Sequence, residues 1–133
     1  MYTKEKLDVI LNELKQEGED TFHYFYVYQT PSTSSYIKHG ISAVVDIDHL
    51  IVCFTNKRLL FLEMTMMGDF TGNIKGLNLD EVEEIKVNRG MIRTTILLKL
   101  KGEKEKLSIK ANSFAIGFPI QKTNLLALSK LYG

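Results

Sequence analysis

The 133 residues are the size of one ordinary domain, 44% apolar and 25% charged with a formal net charge of +1, an average globular balance that excludes a strongly basic nucleic-acid binder. No run of eighteen apolar residues could span a bilayer, and Tyr2 to Lys6 lacks the apolar core of a secretory signal, so a soluble cytoplasmic protein is expected. Cys53 is the only cysteine and sits within an apolar run, which rules out an internal disulfide and a cysteine-built metal site.

Thr3 to Glu17 places Leu7, Ile10, Leu11 and Leu14 at helical spacing, with Thr3 as N-cap and Gly18 just past the C-terminus. Phe22 to Gln29 (FHYFYVYQ) is aromatic and β-branched and reads as a strand, with His23, Phe25 and Val27 on one face and Tyr24, Tyr26 and Tyr28 on the other. Both faces are partly apolar, so the N-terminal helix is the nearest candidate to cover the outer one. Thr30 to Ser35 reads as a loop, and Ile41 to Ile47 as a short strand entered at Gly40.

The chain is organised around Leu50 to Met64, LIVCFTNKRLLFLEM, which reads as strand, Asn56-Lys57 turn and strand. Asn is the non-glycine residue that most readily takes a positive φ, and is assigned that role in the turn. Thr65 to Asp69 follows as a second turn, where Met66 and Met67 either fill a core gap or form an apolar loop tip. Phe70 to Leu79 carries several glycines and reads as an irregular, bulged strand. Asp80 to Glu84 reads as an acidic turn whose carboxylates stay solvated, since neighbouring acids do not converge on a cation.

Ile85 to Asn88 begins another strand, turned by Arg89-Gly90, and the alternation from Ile92 to Lys101 is the cleanest in the chain. Ile92, Thr94, Ile96, Leu98 and Leu100 face inward, and after a turn at Gly102-Glu103 so do Leu107, Ile109 and Ala111. Lys86, Arg93, Lys99, Lys106 and Lys110 then share one basic outer face. Pro119 precedes a last helix, Ile120 to Leu131, whose Leu125, Leu128 and Leu131 or Tyr132 pack on the sheet. About seven antiparallel strands between two helices would curl into a partly closed barrel with a helix over one end, a mainly β fold.

Residues 1–49 carry four lysines against eight acids, while residues 50–133 carry thirteen Lys or Arg against eight acids, so charge is polarised along the chain. His23, His39 and His49 are scattered, and no metal, nucleophile-elbow or phosphate-loop motif is present. Asp46 and Asp48 could share a face but read as surface carboxylates.

The stretch G-x₉-L-I-V-x-F-T-N-K-R-L-L-F from Gly40, the acidic turn with Val82 and Ile85, the hairpin and the Leu-rich helix together resemble the bacterial pleckstrin-homology-like domains, in particular the YokE-like branch. The resemblance spans roughly residues 20 to 132, with Thr55 to Phe61 as its best signal. It implies a seven-stranded barrel with a capping helix and no enzymatic activity; no cofactor is expected. Residues 1–19 would then be an appended amphipathic helix and 20–133 the PH-like part of a single globular domain. Eukaryotic relatives use basic residues along the first strand-loop-strand segment to bind phosphoinositides, but this segment offers only Lys38 and His39. The expectation is therefore a binding module with a protein partner or a second copy, without nucleic acid or metal. The alternative is an anionic lipid surface met by the basic face and a Met66-Met67 tip.

Overall fold

The computed structural model describes residues 3–20, 22–28, 48–104, 106–115 and 118–133. The loop assigned to Thr30 to Ser35, the strand assigned to Ile41 to Ile47, and Lys38, His39 and Asp46 lie outside the described residues. The elements are helix α1 (Lys4–Leu14), strands β1 (Phe22–Tyr28), β2 (His49–Thr55), β3 (Arg58–Met64) and β4 (Phe70–Asn78), a 3-10 turn at Leu79–Glu81, strands β5 (Val82–Arg89), β6 (Arg93–Leu100) and β7 (Lys106–Asn112), and helix α2 (Ile120–Tyr132). All neighbouring strands pair antiparallel, in one sheet of order β1-β2-β3-β4 and a second of order β5-β6-β7.

Strand alternation sorts the apolar residues into two layers. Phe25, Val27, Leu50, Val52, Phe54, Leu59 and Phe61 of the first sheet meet Val87, Ile96, Leu98, Leu107, Ile109 and Ala111 of the second, with Leu125 and Leu128 of α2 completing this core. The opposite side of the first sheet is equally apolar. Tyr24, Ile51, Cys53, Leu60, Leu62 and Met64 pack there against Leu7 and Leu11 of α1 and against Phe118. Thus β2 and β3 are buried on both faces, which is why their sequence runs continuously apolar instead of alternating. Burial in this setting pushes the Cys53 thiol up to about 12, so it stays a protonated, inert core residue.

Thr3 caps α1 as expected, its Oγ1 accepting from Lys6 N at 3.2 Å. The helix ends at Leu14, however, three residues short of Glu17, because Lys15 adopts an extended backbone. Gly18 is accordingly not the residue after the helix but a turn residue, at φ 83°, in the linker to β1.

That linker is locked onto the β2–β3 turn. Glu19 is fully buried, and its carboxylate accepts from Arg58 Nε at 2.9 Å, Arg58 Nη2 at 3.0 Å, Thr55 Oγ1 at 2.6 Å and Gln16 N at 2.8 Å. Arg58 Nη2 also donates to the Leu14 carbonyl at 2.6 Å, and Lys57 Nζ to the Glu17 carbonyl at 2.6 Å. Asn56 has no positive φ, contrary to its expected role. The turn is closed instead by Thr55 Oγ1, which accepts from Lys57 N and Arg58 N, while Asn56 Nδ2 donates to the Gly18 carbonyl. The Thr55 to Arg58 motif is therefore a clamp for α1 as much as a hairpin turn.

Other departures are local. β4 is irregular as expected, with a register shift between Leu62 and Met64. β6 starts at Arg93, so Ile92 does not join the inner face; it stands in the β5–β6 turn at 71% exposure. In α2 the position assigned to Leu131 or Tyr132 is taken by Tyr132, whose ring lies 5.8 Å from that of Phe54, while Leu131 is exposed.

Two buried polar residues of α2 escaped the sequence reading. β1 and β7 form the edges of their sheets and face each other without a regular ladder. Gln121 stitches this seam: Oε1 accepts from Tyr26 N at 2.7 Å, and Nε2 donates to the carbonyls of Tyr26 at 2.9 Å and Asn112 at 3.0 Å. Asn124 Nδ2 donates to the Tyr24 carbonyl at 2.8 Å. These side chains supply the partners that a neighbouring strand would have given. Replacing Gln121 by Leu is expected to lower stability by about 1–3 kcal/mol, since buried backbone groups lose their partner. A shift of the urea midpoint at unchanged slope measures it.

Candidate functional site

The outer face of the first sheet is taken up by α1, whereas no described element packs on the outer face of the second. Strand parity decides what that open face displays. Arg93, Thr95, Leu97 and Lys99 of β6 lie opposite Asn112, Lys110, Ser108 and Lys106 of β7, and Asn88, Lys86 and Glu84 of β5 lie opposite Thr95, Leu97 and Lys99. Lys86, Arg93, Lys99, Lys106 and Lys110 therefore stand together on one surface, as their alternation in the sequence required.

They are not equivalent. Val82 begins β5, so Glu83 and Glu84 belong to a strand instead of a turn, while both stay solvent-exposed as expected. Lys99 Nζ donates to Glu83 Oε2, and Lys106 Nζ donates to Glu84 Oε1 at 3.2 Å. Lys99 and Lys106 sit directly opposite one another, and the two glutamates relieve the repulsion this creates. Lys86, Arg93 and Lys110 have no acidic partner among the described residues. Asp80 and Glu81 remain in the 3-10 turn. Among the described residues no cluster of three or more metal-ligating side chains occurs.

Met66 and Met67 are 81% and 71% exposed, so the turn between β3 and β4 presents an apolar tip and does not fill a core gap. Gly68, at φ 86°, lets the turn close through a Gly68 N to Thr65 carbonyl bond of 2.9 Å. A second exposed apolar group, which the sequence reading did not identify, is Met91, Ile92 and Phe114. Ser113 holds it together by donating from N to the Ile92 carbonyl and from Oγ to the Gly90 carbonyl.

At the β1–β7 seam the outer faces of the two sheets meet in a pocket lined by Tyr26, Tyr28, Arg93, Lys110 and Asn112. Tyr28 stacks on His49 at a centroid distance of 4.9 Å, and the Tyr26 hydroxyl shares a 2.5 Å hydrogen bond with His49 Nδ1.

Seven antiparallel strands divided four and three, closed by a C-terminal helix, are the framework of a pleckstrin-homology fold, and the bacterial PH domain family matches residues 16–115. The chain belongs to the bacterial PH domain family. The match takes in all seven strands and the Gln16 to Glu19 linker that the β2–β3 turn clamps, and it stops ahead of α2. No curated protein and no solved structure matches the chain. PH domains are in general binding modules without catalytic activity, and no helix among the described residues of this one is long and apolar enough to cross a membrane.

Proposed function

We propose that this PH domain is a non-enzymatic module acting through protein contacts, in which an acidic segment of a second copy or of another protein docks on the outer face of β5, β6 and β7. The observation that carries this reading is the cationic trio Lys86, Arg93 and Lys110, without acidic partners among the described residues, on a sheet face that no described helix covers. Glu83 and Glu84 already show how an acid seats beside such cations. The excess of acid in residues 1–49 gives a second copy a charge complementary to this face. The Thr55 to Phe61 motif supports the YokE-like branch, and a single buried thiol suits a reducing cytoplasm.

Sedimentation velocity across protein concentration is expected to show self-association that weakens with salt. Changing Lys86, Arg93 and Lys110 together to Glu is expected to leave a monomer. A second reading, binding to an anionic membrane, is favoured by the exposed Met66-Met67 tip. A monomeric wild type that pellets with anionic vesicles at low salt and is released at high salt would replace the first reading with the second.

A further inference from the structure

The order β5-β6-β7 sets β6 on one side of β5 and no described strand on the other. α2 packs against β5 from the core side, through Leu125, Leu128 and Tyr132. From Glu83 to Arg89 the backbone makes no hydrogen bond outside the β5–β6 ladder among the described residues, so a row of amide and carbonyl groups faces outward. Such a row is a template for another strand, and charged side chains along an edge usually keep one away. Here the order of the charges favours one incoming strand, β5 itself.

That order is Glu84, Ile85, Lys86. A two-fold axis perpendicular to the sheet keeps outward side chains outward, so two antiparallel copies of β5 pair only in registers that match like faces. With the axis through Ile85, Glu84 of each copy stands directly opposite Lys86 of the other, which makes two opposite-charge pairs. A slip of two residues one way sets Lys86 against Lys86, and the other way Glu84 against Glu84. Charge therefore selects a single register.

The side chains concerned are available for it. Lys86 has no acidic partner among the described residues, and Glu84 accepts from Lys106 at 3.2 Å through Oε1, which leaves Oε2 for a further cation. Ile85, half-buried against the core, meets its own counterpart on the axis. The same register carries the exposed Met91 and Ile92, beyond the end of β5, towards the partner's 3-10 turn. β4, the far edge of the first sheet, has Lys75 as its one charged side chain and so no acid to offer a second copy.

We propose that β5 pairs antiparallel with β5 of a second copy about Ile85, joining two three-stranded sheets into one of six strands. The pairing goes beyond the protein-contact reading above, since it places the contact on a backbone edge and not on the outer face, and either can fail alone.

Sedimentation equilibrium of the full chain tests it. Glu84→Lys and Lys86→Glu are each expected to weaken dimerisation about tenfold or more, because each turns two attractive cross-strand pairs into two repulsive ones. The double variant, which restores the pairs with their signs exchanged, is expected to recover most of the affinity. Arg93→Glu with Lys110→Glu leaves β5 untouched and at physiological salt should change dimerisation by less than about threefold. Ile85→Cys is expected to give a disulfide-linked dimer on mild oxidation, whereas Asn88→Cys, about 20 Å from its counterpart in this register, is not. Cys53 is buried and does not compete. A wild type that stays monomeric, a double variant as weak as the single ones, or cross-linking as strong at Asn88→Cys as at Ile85→Cys would overturn the pairing. A dimer lost in Arg93→Glu with Lys110→Glu but unchanged in Glu84→Lys would overturn it too, while leaving the outer-face reading in place.

Discussion

Replacing Arg58 by Ala is expected to cost about 3–5 kcal/mol, the scale of loss when one partner of a buried ion pair is removed. The guanidinium holds both carboxylate oxygens of Glu19, which is fully buried, and also the last carbonyl of α1. Without it an ionised carboxylate is left in the interior with only the Thr55 hydroxyl and the Gln16 amide. Burial by itself would push the Glu19 carboxyl up, but Arg58, Thr55 and the Gln16 amide together outweigh that and hold it down from 4.5 to about 2. A carboxyl lowered in the folded state stabilises the protein above its ordinary value and loses that contribution as pH falls. Wild-type stability should therefore decline by about 3 kcal/mol as pH drops from 4.5 to about 2 on account of this one group. Urea midpoints between pH 2 and 6 measure it, and in Glu19→Gln this component of the slope should be missing. An Arg58→Ala protein as stable as wild type would show that Glu19 does not depend on the guanidinium.

The second large effect concerns Leu98, fully buried between the two sheets and flanked across the strands by Ile85 and Leu107. Leu98→Ala removes three heavy atoms from a core that two sheets and a helix hold rigidly in place, so it is expected to cost about 2–5 kcal/mol. Its neighbour Lys99 points to the open face, where its pair with the half-exposed Glu83 is worth under about 1 kcal/mol. Denaturant melts of Leu98→Ala and Lys99→Ala should therefore differ several-fold, and equal losses would show that the strand does not alternate between core and solvent.

What could be read from the sequence was what period and composition govern. The inner faces of β6 and β7 and the apolar stripe of α1 follow from spacing alone, and the placement of all five basic residues on one face follows from parity. What could not be read depends on contacts between distant residues. Glu19 looks like one more acid in a charged linker, and only Arg58, 39 residues away in the chain, makes it a core residue. Asn56 reads as a turn residue for a backbone reason, while in the structure its side chain carries the role. Gln121 and Asn124 share the face of Leu125 and Leu128, and a polar pair on an apolar helical stripe was the available signal for a seam needing donors. A strand boundary at Val82 has no local mark, so Glu83 and Glu84 read as part of an acidic turn and their pairing with Lys99 and Lys106 stays hidden in the sequence.

The clamp also ties the placement of one element to the integrity of another. Glu19 has its full set of partners only where Thr55 and Arg58 stand together at the end of the β2–β3 hairpin, so the seating of α1 depends on that hairpin being intact. Loosening the hairpin end therefore releases the helix as well, because one buried carboxylate couples the two.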